Sequence, residues 1–145
     1  MMHKGQLFIL VLATVSVFAG LTFLSAAPAQ TSADRLAIVW TSGDPDVAHR
    51  MTLMYANGTQ TRGWFDEVRL VVWGPSQRLV VADKDIRAYI ERLIEAGVVV
   101  EACLACADSY GIADDLRAIS GVEVKYMGQP LSDFIKSDEW HVITF

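Results

Sequence analysis

The sequence predicts an α/β protein, a three-layer sandwich around a five-stranded, mostly parallel sheet. Five short runs are rich in Val, Ile and aromatic residues: Leu36 to Trp40 (LAIVW), Val68 to Trp73 (VRLVVW), Val98 to Ala102 (VVVEA), Val122 to Met127 (VEVKYM) and Trp140 to Phe145 (WHVITF). Segments with helical spacing and capping residues lie between them. Strands that alternate with helices need crossover connections, and these give a parallel sheet with helices on both faces.

The chain has 145 residues, and its first part stands outside this pattern. The opening MMHKGQ carries a positive charge and no acid, Leu7 to Leu24 contain no charged residue, and SAAPAQ follows. A basic start, an apolar run and a small-x-small site are the three parts of a secretory signal peptide, with Ala27 and Ala29 as the small pair and cleavage expected after Ala29. The apolar run exceeds the roughly 7–15 residues of a usual signal core and nears the ~20 that span a bilayer, so an uncleaved membrane anchor is the alternative. Either reading places the domain in the periplasm or another extracytoplasmic space, with membrane contact only through this segment if it is kept. Residues 30–34, small and polar, read as a linker, and residues 35–145 as one domain.

Along the domain, Asp44 and Pro45 supply an N-cap and a first-turn proline for a helix whose apolar stripe is expected at Val47, Met51, Met54 and Tyr55. The clearest helix follows Asp83, with Ile86, Ile90, Leu93 and Ile94 as its stripe and Gly97 as its end. A shorter helix is expected from Ile112 to Ser120, closed by Gly121. A last one covers Leu131 to Lys136, after Pro130.

The formal net charge of −5 becomes more negative without the leader, which contains Lys4 and no acid. Nothing in such a domain offsets repulsion by phosphates, which argues against nucleic acid as a partner. The sequence contains no internal repeat, low-complexity tract or charge block.

Ligands of open parallel sheets bind beyond the carboxyl ends of the strands, where loops lead into helix N-termini. That rule selects Thr41 to Asp44, Gly74 to Gln77, Cys103 to Gly111 and Gly128 to Pro130. Only the third carries a reactive side chain. Cys103 follows the third strand and Cys106 comes three residues later, a spacing that lets two thiols meet in a tight loop or a first helical turn. A helical turn there would favour thiolate at Cys103, and Glu101 and Asp108 would oppose it.

Each candidate also has a plainer explanation. In an exported protein the pair can be a structural disulfide. Zinc usually takes four ligands, and with no second cysteine pair only His49 and Asp108 remain to complete a site, so no metal and no cofactor are expected. His49 reads as a helix-surface residue before it reads as a proton carrier, and His3 and His141 are weaker candidates. Asp44 reads as a cap. Gly74-Pro75-Ser76 has neither a nucleophile elbow nor a phosphate-loop pattern and reads as a strand-to-helix turn. Trp40 and Trp73 end neighbouring strands, and core packing accounts for at least one of them.

Four stretches resemble the DsrE family, which includes sulfur-relay subunits and small homo-oligomeric relatives: LAIVWTSGDPDVAHRM, GWFDEVRLVVWGPSQRL, EAGVVVEACLACADSYGI and GVEVKYMGQPLSDFI. The third is the most specific. The resemblance spans nearly all of the chain beyond the leader. It implies an α/β sandwich, a homo-oligomer (trimer or hexamer), and a cysteine that carries sulfur as a persulfide. Cys103 matches that cysteine by position, and Cys106 matches a second thiol found in part of the family. The export signal sets this chain apart from cytoplasmic sulfur-relay members.

Three functions follow as expectations: a persulfide or thiol carrier working through Cys103 and Cys106, a thiol-disulfide oxidoreductase, and a non-catalytic oligomeric binding module with a structural disulfide. Leu104-Ala105 between the cysteines differs from the dipeptides of thioredoxin-like enzymes, which places the second below the first.

Overall fold

Alternation along a strand sends successive side chains to opposite faces, so the order and direction of the strands decide what each residue meets. The computed structural model describes residues 34–145; the signal peptide or anchor expected at residues 1–29 and nearly all of the 30–34 linker lie outside the described residues. The strands are β1 (Arg35–Trp40), β2 (Glu67–Val72), β3 (Val99–Cys103), β4 (Val122–Lys125) and β5 (Trp140–Thr144). They form one sheet in the order β4-β3-β2-β1-β5, and every pairing is parallel.

β1 to β2, β2 to β3 and β3 to β4 all step the same way across the sheet. Right-handed crossovers therefore lay their helices on one face. These are α1 (Pro45–Val47), a π-helical turn (Ala48–Thr52) and α2 (Leu53–Thr61); then α3 (Pro75–Ala82) and α4 (Lys84–Glu95); then α5 (Leu104–Tyr110) and α6 (Ala113–Arg117). The last crossover runs back from β4 to the far edge at β5 and carries α7 (Gly128–Lys136) over the opposite face.

The main core lies on the first face. Leu36, Ile38, Trp40, Val68, Leu70, Val72, Val100 and Ala102 pack there against Leu53, Ala56, Val80, Ile86, Ile90, Leu93 and Leu116. The second face carries a smaller cluster of Ala37, Val71, Cys103, Met127 and Phe134, with Trp73, Cys106, Leu131, Trp140 and Val142 partly buried against it.

The caps form as expected. Asp44 accepts hydrogen bonds from the N–H groups of Asp46 (2.7 Å) and Val47 (3.3 Å), and Asp83 from those of Asp85 (2.8 Å) and Ile86 (3.2 Å). The stripe expected on the first helix is a different matter. Met51 and Met54 are exposed, and Ala48, Thr52, Leu53, Ala56 and Thr59 are buried instead. A π turn holds an extra residue, which rotates the face that follows, and small side chains let this helix lie close to the sheet. Thr59 satisfies its hydroxyl on the carbonyls of Tyr55 and Ala56, both at 3.0 Å.

Two further helices differ from expectation. The Gly74-Pro75-Ser76 turn leads at once into a helix of its own, α3 (Pro75–Ala82), separate from the one expected after Asp83, and α7 starts at Gly128, ahead of Pro130. Proline is tolerated there because the N–H groups of a first turn have no partner inside the helix.

Candidate functional site at the carboxyl edge of the sheet

The connection after β3 runs to one face of the sheet and the connection after β4 to the other. Such a divergence opens a crevice at the carboxyl ends of the two strands, the switch point where ligands of open α/β sheets bind. Cys103 is the last residue of β3 and stands beside Lys125, the last residue of β4.

Cys103 points to the second face, is 3% exposed, and forms the N-cap of α5. Cys106 lies in the first turn of that helix and is half-buried. Both are free thiols. Burial pushes the Cys106 thiol up from the ordinary cysteine range, a hydrogen bond with the Cys103 side chain adds to the shift, and the Gly74 N–H, donating to the sulfur, pulls partly the other way. Gly74 has φ 66°, a left-handed conformation natural to glycine, at the point where the chain leaves β2 for α3.

The edge around the thiols is fixed by two residues that sequence reasoning placed in a plain turn. Ser76 Oγ donates to the Trp40 carbonyl (2.6 Å) and accepts from the Trp73 N–H (3.1 Å). Gln77 Nε2 donates to the carbonyls of Val72 (3.1 Å) and Cys103 (2.9 Å). Both side chains are fully buried, so the ends of β1, β2 and β3 are tied together next to the thiols. Only a signal such as Pro75 at a helix start, followed by Leu79 and Val80, pointed to a helix here.

Behind Cys103 on the same face runs a ladder of charges. Glu101 is 0% exposed, and its Oε1 meets Arg69 (2.8 Å) and Lys125 (2.7 Å). Arg69 also pairs with Glu67, and Lys125 with Glu123. Burial lowers the proton affinity of Arg69 and Lys125, but the carboxylates outweigh it and hold both cations above their ordinary values. Arg69 further lies 5.7 Å from the Phe134 ring and 5.4 Å from the Trp140 ring, beneath α7. Charges at every second position of neighbouring strands are the sequence signal for such a ladder, since alternation puts them on one face.

The remaining candidates are not brought to the thiols. The His49 ring lies 6.3 Å from the ring of Tyr89 on α4, tilted by 57° to it, and the His141 ring lies 5.8 Å from that of Phe65. Asp44 caps α1 and Asp108 is exposed. Trp40 is buried in the main core, whereas Trp73 is partly buried near Cys106 in the smaller cluster. Among the described residues no group of three or more His, Cys, Asp or Glu side chains is placed to hold a metal ion.

The class defined by this fold and site is a parallel α/β sandwich with a thiol pair at its switch point. The chain belongs to the DsrE/DsrF-like family, whose model matches residues 7–145 and whose association is with sulfur relay. It is similar to a solved structure of a conserved protein of unknown function from Bacteroides thetaiotaomicron, at 31% identity and TM-score 0.73, over 77% of this chain and 95% of that one. The ychN protein from E. coli shares the fold at 21% identity and TM-score 0.64, over 77% of this chain and 99% of that one. No protein of curated function matches the sequence. Among the described residues no helix is long and apolar enough to cross a membrane.

Proposed function

We propose that the protein is a sulfur carrier in which sulfane sulfur is accepted at Cys106 and held on Cys103. The observation that carries this reading is the contact between a half-buried thiol and a buried one at the switch point, in a chain of the DsrE/DsrF-like family. Exposure favours Cys106 as the thiol a donor meets first. The position that the family resemblance marks as sulfur-bearing, Cys103, is the sheltered one.

In the first step the Cys106 thiolate attacks the outer sulfur of a donor persulfide, R–S–SH. A new S–S bond forms, the donor's S–S bond breaks, and R–S⁻ leaves and takes up the proton given by Cys106. In the second step Cys103 attacks the outer sulfur on Cys106, which transfers that sulfur and regenerates the Cys106 thiol. No net oxidation occurs, and an acceptor thiolate completes the cycle by the same exchange.

Burial suits the storage role. A persulfide on an exposed thiol is open to exchange with any small thiol, whereas one on Cys103, which is 3% exposed, is sheltered from it. The raised proton affinity of Cys106 keeps the empty site as thiol near neutral pH, which limits unwanted oxidation.

The test is mass spectrometry of the full chain after exposure to inorganic polysulfide. The expected product is a gain of one sulfur, mapped to Cys103 in the wild type and absent from the doubly substituted Cys103→Ser, Cys106→Ser chain. A wild-type chain that takes up no sulfur contradicts the reading. A homo-oligomeric assembly and an extracytoplasmic location remain part of the proposal, tested by sedimentation of the purified chain and by fractionation of cells that make it.

A further inference from the structure

The contact between the thiols also bears on where a loaded sulfur goes. Cys103 is the N-cap of α5 and Cys106 lies in its first turn, so a single helical turn joins them. The backbone is pinned at both residues: the Cys103 carbonyl accepts from Gln77 Nε2 at 2.9 Å, and the Cys106 carbonyl accepts from Ser109 Oγ at 2.8 Å. The atom that Cys106 meets in its hydrogen bond is Cys103 Sγ. Once Cys103 is loaded, that atom is the inner sulfur of the persulfide, and the added sulfur lies beyond it.

Two attacks are open to a Cys106 thiolate on a loaded Cys103. Attack on the outer sulfur returns it to Cys106 and expels the Cys103 thiolate. Attack on the inner sulfur closes a disulfide between Cys103 and Cys106 and expels hydrosulfide. Exchange is faster where the leaving group is the weaker base, and hydrosulfide is a weaker base than an alkyl thiolate. Contact with Cys103 Sγ favours the same attack, because thiols that already touch across one helical turn need little backbone movement to form a disulfide. The Gly74 N–H, which donates to the Cys106 sulfur, favours the thiolate that attacks.

We infer that the protein is a persulfide reductase, in which the sulfur held on Cys103 leaves as hydrosulfide when Cys106 attacks the inner sulfur and the two thiols become a disulfide. The inference rests on the carrier reading and adds a second reaction to it. One S–S bond breaks, between Cys103 and the added sulfur, and one forms, between Cys103 and Cys106. The sulfane sulfur takes up two electrons, the two cysteine sulfurs give up one each, and the proton that Cys106 releases goes to the departing hydrosulfide. An external dithiol returns the pair to its reduced form by thiol-disulfide exchange. The substrate class is the organic persulfide, converted to a thiol and hydrosulfide. Release follows loading rather than coinciding with it, because the raised proton affinity of Cys106 leaves little thiolate near neutral pH.

The experiment loads the reduced full chain with an alkyl persulfide, a donor that delivers sulfur without freeing sulfide, and removes the excess by desalting. Sulfide and the mass of the chain are then followed at about pH 8 without added thiol. The expected course is a chain one sulfur heavier that becomes one two hydrogens lighter than the reduced form. One sulfide is released per chain, and the disulfide maps to Cys103 and Cys106. Cys106→Ser, loaded for longer, should release sulfide at least about tenfold more slowly. A loaded wild-type chain that keeps its sulfur, a disulfide between two chains, or equal release from Cys106→Ser overturns the inference and leaves the carrier reading standing. A wild type that takes up no sulfur overturns both. The stoichiometry in the wild type is read without the variant, so it decides the matter even if Cys106→Ser fails to fold.

Discussion

The two faces of the sheet are made from alternate residues of the same strands, yet one is a dry core and the other a charged surface under a single helix. Leu70 and Val72 of β2 meet the apolar layer of α2, α3 and α4, while Arg69, on the other face, joins a ladder with Glu67 and Glu101. Strand order explains the difference: three crossovers in one direction cover the first face, and only α7 returns over the second. The thinner side is where a reactive side chain can be reached, and both thiols belong to its cluster.

Substitutions can break this comparison at each level. Leu70→Ala on the dry face is expected to have the largest effect, a loss of about 3–5 kcal/mol in denaturant unfolding, because a fully buried side chain leaves a cavity. Glu101→Gln should cost about 1–3 kcal/mol, since Arg69 and Lys125 lose a shared carboxylate but keep some water and their pairs with Glu67 and Glu123. Equal losses for the two variants would mean that the second face is as dry as the first.

A smaller effect concerns the thiols. A raised proton affinity means a smaller thiolate fraction at any pH below the titration, so alkylation of Cys106 by iodoacetamide should be slower at pH 8 than for a free cysteine, and its rate should still climb above about pH 8.5. Cys103→Ala removes one of the groups that raise it and should shift the rate profile to lower pH. A profile for Cys106 centred below that of a free cysteine would contradict the burial of this thiol and its contact with Cys103.

Much of this was legible before the fold was seen. The five strand runs, the caps at Asp44 and Asp83, and the position of the cysteines at the end of the third strand are local signals, set by side-chain alternation and by hydrogen bonds two or three residues away. The exposure of Met51 and Met54 was not legible, because a π turn changes the helical period without a mark in composition. Ser76 and Gln77 were hidden because their role lies in carbonyls of β1 and β3 that are 36 and 26 residues distant. Which thiol is sheltered depended on the same long-range packing, since spacing alone treats Cys103 and Cys106 alike.

The most direct test of sulfur passage between the thiols compares loading in two single variants. With polysulfide as donor, Cys103→Ser should still gain one sulfur on Cys106 and lose it quickly to a small thiol. Cys106→Ser should load Cys103 at least tenfold more slowly than wild type. Loading of Cys103 at an unchanged rate in Cys106→Ser would contradict the passage of sulfur from the half-buried thiol to the buried one.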